Sequence, residues 1–257
     1  MKKIVWICSI VSIATVLSGC SGFWGKEALT TKSYPSMFGR NEALVVLLPG
    51  FGGKGIHYEK QGFIEAIRER GSDVHMETLD VKPSLYLQSR IVEILKTEVI
   101  RHAKAQGYER IFLIGISMGG HGVLRYVTEY PEDVDGVFVL SPFVSGPLVT
   151  RAIEDAGGLD KWDDCPLIAW DYACNVWKAL QDYVSNPEHR ANIYLGYGTE
   201  DVFADECRLL ADILPPENVF AVSGKHDWPT WKKLFIKALD HFKAYKPYQI
   251  RHHKTQS

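Results

Sequence analysis

The sequence predicts an α/β fold: a mostly parallel sheet of about six strands, with helices on both faces. Two observations carry this prediction. Apolar runs of strand length alternate with segments of helical period from residue 43 to residue 245. The most hydrophobic runs are also unbroken, as is typical of strands buried on both faces. The chain has 257 residues and a formal charge of -2, which suits one complete core and excludes the basic surface of a general nucleic-acid binder.

The predicted strands are short apolar runs that end at a turn. They cover residues 43–48, 74–81, 111–116, 134–140, 192–196 and 218–222. The predicted helices have apolar residues at helical spacing and end at a breaker. They lie around residues 63–67 before Gly71, 91–103 before Gly107, 123–130 before Pro131, 209–213, and 231–245 after Pro229. In such an alternation the carboxyl ends of the parallel strands meet at one edge, where ligand sites form.

The alternation breaks between Ser141 and Pro187, where the sequence is rich in tryptophan and tyrosine. We interpret residues 142–190 as a helical, Trp-rich insertion over the active-site edge of the sheet. Trp162, Trp170 and Trp177 would then wall a ligand cleft. The alternative is an extra helical layer that only packs.

The N-terminal segment has the pattern of an export signal. Lys2 and Lys3 precede an uncharged apolar stretch, residues 4–17, that is short for a bilayer span. The following Leu-Ser-Gly-Cys resembles the lipobox of bacterial lipoproteins. This resemblance implies cleavage before Cys20, acylation of that cysteine, and a protein anchored in the bacterial envelope outside the cytoplasm. The Ser21 that follows favours the outer membrane. The alternative is a plain secretory signal or an anchor helix.

The expected organisation is therefore a signal peptide over 1–19, a tether over 20–41, a folded domain over 42–246 and a polar tail over 247–257. Within the domain, Cys165 and Cys174 are close enough in sequence for a small loop disulfide. Free thiols are the alternative that the sequence leaves open. No His or Cys spacing indicates a metal site.

One motif carries the predicted chemistry. Residues 115–119 read Gly-Ile-Ser-Met-Gly, a G-x-S-x-G match placed where a buried strand ends and an amphipathic helix begins. This context predicts a nucleophilic serine, Ser117, on a turn so tight that glycine is needed on both sides.

A serine hydroxyl needs a base that is oriented by an acid. In this architecture the order along the chain is serine, acid, histidine. His226 follows the last predicted strand and is our candidate base, while the other histidines after the acid lie on the final helix or in the tail. Asp201 follows the preceding strand and is the candidate acid, with Glu200 second and Asp205 third.

Acyl chemistry also needs backbone donors for a developing oxyanion. The N–H of Met118, next after the nucleophile, is one candidate, and the N–H of Phe51 in the loop after the first predicted strand is the other. This glycine-rich loop could instead cradle a phosphate, but it has no G-K-[ST] or G-x-G-x-x-G pattern.

The elbow Gly-Ile-Ser-Met-Gly-Gly, the Gly-Lys-His-Asp-Trp around His226, and Trp231 together resemble the esterase D-like group of α/β-hydrolases. The resemblance covers about residues 43–245. It implies hydrolysis of small-molecule carboxylic esters through an acyl-enzyme, with Ser117, Asp201 and His226 as the triad and no cofactor. The antiparallel strands that usually open this fold have no clear counterpart before Ala43.

The leading hypothesis is thus a lipid-anchored serine esterase acting on small or medium acyl esters. The Trp-rich insertion suggests a preference for hydrophobic or aromatic acyl groups. Two alternatives remain: a thioesterase, acyltransferase or peptidase with the same triad, and a non-catalytic binding lipoprotein of the envelope.

Overall fold

The computed structural model describes residues 29–39, 42–166, 171–186 and 192–249. The expected signal peptide and the lipidation residue Cys20 lie outside the described residues, as does the expected polar tail from residue 250 onward. The first residues of that tail, 247–249, belong to the last helix and are not a separate segment. Within the described part of the chain, no helix combines the length and the apolar character needed to cross a membrane.

Seven strands form one sheet in the spatial order β1-β3-β2-β4-β5-β6-β7. All neighbouring pairs are parallel except β1 with β3. The strands are β1 Thr30–Tyr34, β2 Ala43–Leu48, β3 His75–Asp80, β4 Arg110–Ile116, β5 Gly136–Leu140, β6 Ile193–Gly198 and β7 Val219–Val222. The predicted mostly parallel α/β sheet is confirmed, and β2 and β5 are buried along their whole length.

The helices connect these strands. They are α1 Ile56–Lys60, α2 Phe63–Glu69, α3 Pro83–Leu87, α4 Ile91–Ile94, α5 Arg101–Ala105, α6 Met118–Glu129, α7 Pro147–Ala156, α8 Asp171–Ser185, α9 Ala204–Asp212 and α10 Trp228–Gln249. A π-helical stretch, Leu95–Ile100, joins α4 to α5. Short 3₁₀ turns lie at Pro131–Asp133, Leu159–Lys161 and Pro216–Asn218.

The sheet separates two hydrophobic cores. Side chains alternate along each strand, so Val46 of β2 enters one core while Leu47 enters the other. The first core takes residues from α3 to α9, and the second takes residues from α1, α2 and α10. Helices therefore cover both faces of the sheet, and the loops at its edges remain accessible.

The structure has one strand more than the sequence indicated. That strand is β1, which lies in the segment expected to be a tether and pairs antiparallel with β3, from Thr30 opposite Asp80 to Tyr34 opposite Met76. Its sequence, Thr-Thr-Lys-Ser-Tyr, has no apolar run because it is an edge strand. Only Tyr34 among the side chains described in this strand is buried, so the pattern used for the other strands could not detect it.

The inserted segment after β5 is helical where it is described, as expected, but its two described tryptophans do not wall a cleft. Trp162 and Trp177 are buried in the first core, where Trp177 is fully enclosed and packs with residues of α6. The cleft-wall hypothesis is wrong for these two residues, and Trp170 lies outside the described residues. Cys165 and Cys174 form a disulfide that ties the start of α8 to the preceding loop, with their Cα atoms 5.9 Å apart.

Candidate active site

Ser117 lies on the turn between β4 and α6 in a backbone conformation that L-residues rarely adopt. Its φ is 55° and its ψ is -118°. The turn is fixed on both sides, since the Ser117 N–H donates to the Leu140 carbonyl at 2.9 Å and the Ser117 carbonyl accepts from the His121 N–H at 3.1 Å. Strain held by surrounding hydrogen bonds is typical of functional positions.

The two glycines of the motif, Gly115 and Gly119, are needed because the backbones of β4, α6 and β2 come into contact at these positions. A Cβ on Gly115 would overlap the backbone of Gly119, and a Cβ on Gly119 would overlap the backbone of β2 at Leu48. The G-x-S-x-G spacing is therefore explained by close packing of strand against helix. The hydroxyl-bearing residue of the motif is left partly exposed at the carboxyl edge of the sheet.

Asp201 and His226 are in direct contact at the same edge. Asp201 follows β6, His226 follows β7, and the imidazole Nδ1 lies 2.9 Å from each carboxylate oxygen. The Asp201 side chain is fully buried, whereas 22% of the His226 side chain is exposed. A buried carboxylate on Nδ1 leaves Nε2 as the imidazole nitrogen available for proton transfer.

Burial alone would raise the pKa of Asp201. Hydrogen bonds from His226 and from the Phe203 N–H at 2.9 Å outweigh burial and hold the pKa below its ordinary value. The carboxylate therefore keeps its negative charge beside His226. That charge would stabilise an imidazolium as it forms.

Two aromatic rings clamp the imidazole of His226. The rings of Phe203 and Trp231 each meet it edge-to-face, with centroid distances of 5.0 Å and 4.9 Å. Trp231 belongs to α10 and is itself braced by Trp228, whose ring centroid is 5.3 Å away. The Gly-Lys-His-Asp-Trp segment and Trp231 thus act together to fix the orientation of His226.

The other candidates for the acid lie away from His226. Glu200 is exposed and accepts a hydrogen bond from the Ser223 hydroxyl at 2.7 Å. Asp205 is exposed on α9 and pairs with Arg208. Of the three carboxylates considered from the sequence, only Asp201 contacts the imidazole.

The glycine-rich loop after β2 lies against Ser117. A Cβ on Gly50 would sit 3.2 Å from the Ser117 Cβ and 3.7 Å from its Oγ, so the loop backbone packs directly beside the hydroxyl. The Gly53 N–H donates to the Gly50 carbonyl at 2.9 Å and closes a tight turn. This turn carries Phe51, which is 57% exposed, on the backbone segment that packs beside the Ser117 hydroxyl.

Met118 occupies the first position of α6, where helix N–H groups have no intrahelical acceptor. The structure thus places the N–H groups of Met118 and Phe51 on two backbone segments that border Ser117. For the described residues, no group of three or more His, Cys, Asp or Glu side chains is arranged to hold a metal ion.

Sequence reasoning missed three residues around the site: Phe143, Phe203 and Glu206. Phe143 follows β5, Phe203 precedes α9, and Glu206 lies in the first turn of that helix with only 3% exposure. A glutamate in a first helical turn usually indicates a solvated residue. No local signal distinguishes Glu206 from its exposed neighbour Asp205.

Comparison with known proteins identifies the family to which the chain belongs. A family model described as putative esterase matches residues 41–242. The acetyl esterase of Caldicellulosiruptor saccharolyticus is 26% identical over 174 residues, which cover 58% of this chain and 62% of that enzyme, less than two thirds of its length.

Two solved structures share the fold. Est1E from Butyrivibrio proteoclasticus superposes with a TM-score of 0.57 at 20% identity, covering 87% of this chain and 95% of its own. FphF, a fluorophosphonate-binding serine hydrolase of Staphylococcus aureus, also has a TM-score of 0.57, at 15% identity over 84% of this chain and 98% of its own.

Proposed function

Because the chain belongs to the putative esterase family, we propose that it hydrolyses carboxylic esters and that Ser117, His226 and Asp201 form its catalytic triad. The single observation that carries this assignment is the contact of His226 Nδ1 with both oxygens of the buried Asp201 at 2.9 Å. The strained turn at Ser117 supports the nucleophile.

In the proposed reaction, His226 Nε2 takes the hydroxyl proton of Ser117 as Oγ attacks the ester carbonyl carbon. The carbonyl oxygen becomes an oxyanion that accepts hydrogen bonds from the N–H groups of Met118 and Phe51. The tetrahedral intermediate collapses, the carbon–oxygen bond to the alcohol breaks, and the alkoxide leaves with the proton from His226. Water, deprotonated by the same imidazole, then attacks the acyl carbon. The bond between that carbon and Ser117 Oγ breaks, His226 returns the proton to Oγ, and the acid is released.

We further propose that the substrates carry small or medium acyl groups. The relation to an acetyl esterase supports this size class. The test is hydrolysis of p-nitrophenyl esters from acetate to decanoate by the detergent-purified protein and by Ser117→Ala.

The variant should lose on the order of 10⁶ in kcat, as expected of a triad that acts as a unit. An organophosphonate should add one adduct to the wild type, mapped by mass spectrometry to Ser117. Turnover that persists in Ser117→Ala, or an adduct on another residue, would overturn the assignment.

We also propose that the enzyme is lipid-anchored outside the cytoplasm through Cys20. Support comes from the cationic start, the short apolar stretch and the lipobox-like Leu-Ser-Gly-Cys. The disulfide between Cys165 and Cys174 agrees with an oxidising compartment.

Cys20→Ser should leave an unacylated, uncleaved precursor, whereas Cys8→Ser, within the apolar stretch, should be processed as the wild type is. Intact mass and detergent partition distinguish the two variants. Normal processing of Cys20→Ser would contradict the lipoprotein assignment.

A further inference from the structure

A row of aromatic rings connects the nucleophile to the base. The Phe143 N–H donates to the Ser117 carbonyl at 3.2 Å, which places this residue directly beside the nucleophile's turn. The Phe143 ring lies 5.5 Å from the Phe203 ring at an interplanar angle of 67°, and the Phe203 ring meets His226 edge-to-face at 5.0 Å. Phe143 and Phe203 both remain partly exposed, in contrast to the buried Trp162 and Trp177 of the insertion.

One buried carboxylate fixes this row. Glu206 accepts hydrogen bonds from three consecutive backbone N–H groups: Val144 at 2.6 Å and Ser145 at 3.0 Å bond to Oε2, and Gly146 at 2.8 Å bonds to Oε1. Three successive N–H groups that converge on one point form an anion-binding concavity, and here the anion is supplied by the protein itself. The loop that starts at Phe143 is therefore bound to α9.

The spacing along the chain makes the contact between Glu206 and this loop relevant to the site. Phe203 and Glu206 are three residues apart at the start of α9, so they lie on the same side of that helix and both face the loop after β5. Asp201 precedes them by two and five residues. A second anchor holds the loop from the insertion, since the Trp177 indole N–H donates to the Ser145 hydroxyl at 2.8 Å.

We propose that Phe143 and Phe203 form the wall that receives a planar aromatic group of the ester, and that Glu206 is the positioning residue that holds this wall against the triad. The inference rests on the proposed triad and deepens it by naming a substrate class. Aromatic rings favour edge-to-face or offset contacts at centroid distances of 4.5–7 Å. The rings of the partly exposed Phe143 and Phe203 can make contacts of this kind with an aromatic ring of the substrate. A methyl group in the same position would contact much less of the wall.

The aromatic group can belong to the acyl part or to the alcohol part of the ester, and two substrate pairs separate these sources. Methyl 3-phenylpropanoate against methyl butanoate probes the acyl part. Benzyl acetate against methyl acetate probes the alcohol part. In each pair the readout is the ratio of kcat/KM for the phenyl-bearing ester to that for the small ester, which cancels any general loss of activity.

In one of the two pairs, Phe143→Ala and Phe203→Ala should each lower this ratio by about tenfold or more, the scale at which pocket contacts discriminate substrates. Glu206→Gln keeps the size of the side chain but loses its charge, which weakens all three N–H bonds. This variant should lower the same ratio by about threefold to tenfold, through a higher KM for the phenyl ester while kcat changes little. Glu217→Gln, the same change at an exposed glutamate, should leave the ratio as in the wild type.

Unchanged ratios in both phenylalanine variants would overturn the wall, and a Glu206→Gln variant that loses kcat equally on all four esters would overturn the positioning role. Near-ultraviolet circular dichroism confirms that each variant is folded before its kinetics are measured. Failure of the triad is a separate result, because it would appear as residual activity in Ser117→Ala and not as a change in these ratios.

Discussion

Asp201 and Glu206 lie five residues apart, one in the loop after β6 and the other in the helix to which that loop leads, and both carboxylates are buried. Their pKa values shift in opposite directions. Burial raises the pKa of Glu206, and its three backbone N–H donors do not reverse the shift. Burial acts in the same sense on Asp201, but hydrogen bonds from His226 and the Phe203 N–H bring its pKa below the ordinary value.

The difference lies in what each carboxylate faces. Asp201 faces a side chain that can take up a proton, so its charge gains a cationic partner during a reaction. Glu206 faces amide dipoles that never change charge. A buried carboxylate that faces a titratable side chain, such as Asp201, suits a chemical role. A buried carboxylate that faces backbone amides, such as Glu206, suits a structural role. The following predictions test this division, from the largest expected effect to the smallest.

Replacement of the first carboxylate should affect the chemistry most. Asp201→Asn should lower kcat about 10⁴-fold, because an amide leaves His226 in the wrong tautomer and cannot stabilise the imidazolium. The measurement is steady-state hydrolysis of p-nitrophenyl acetate. Glu200→Gln, one residue away and exposed, should stay within about threefold of the wild type. The reverse order of effects would identify Glu200 as the acid.

The residues whose positions are set by the ends of the parallel strands were predictable from the sequence. Ser117, Asp201 and His226 follow β4, β6 and β7, and parallel strands bring their carboxyl ends to one edge whatever the side chains do. A local motif at the end of a recognisable strand therefore predicts both the residue and its place.

Side-chain direction was not predictable in the same way. Trp177 was expected to wall a cleft, but Cys174, Trp177 and Leu180 recur at helical spacing on α8 and form its buried stripe. Phe143 lies only two residues beyond the buried Ser141, and the sequence does not tell which of these side chains turns towards the site. The polar edge strand β1 escaped detection because its pairing comes from backbone hydrogen bonds to β3 and not from apolar periodicity.

Removal of the second carboxylate should affect stability most. Glu206→Ala leaves the N–H groups of Val144, Ser145 and Gly146 without their acceptor, and each buried donor left unpaired costs about 1–3 kcal/mol. We expect a loss of about 3 kcal/mol or more in the free energy of unfolding, measured by urea denaturation. Asp201→Asn should lose less, since an amide oxygen can still accept from the Phe203 N–H. Equal losses in the two variants would remove the distinction between a chemical and a structural carboxylate.

The smallest effect is the pH dependence of stability, where the two carboxylates should differ in sign. The pKa of Glu206 is raised in the folded state, so the folded protein holds this proton more tightly than the unfolded chain does. Its contribution to stability is therefore largest below the ordinary pKa of about 4.5 and falls as the pH rises through the folded value. Asp201, with a lowered pKa, contributes stability above about 3.8 and loses it on further acidification.

Urea unfolding at several pH values between 3 and 7.5 resolves the two contributions. Relative to the wild type, Glu206→Gln should gain stability as the pH rises from about 4.5, because the variant has no charge to bury there. Asp201→Asn should lose less stability than the wild type as the pH falls below about 3.8, because it has no carboxylate to protonate. Parallel curves for the wild type and Glu206→Gln would mean that the three N–H donors fully offset the burial of that charge. The contrast between the two carboxylates would then lie in their partners alone and not in their titration.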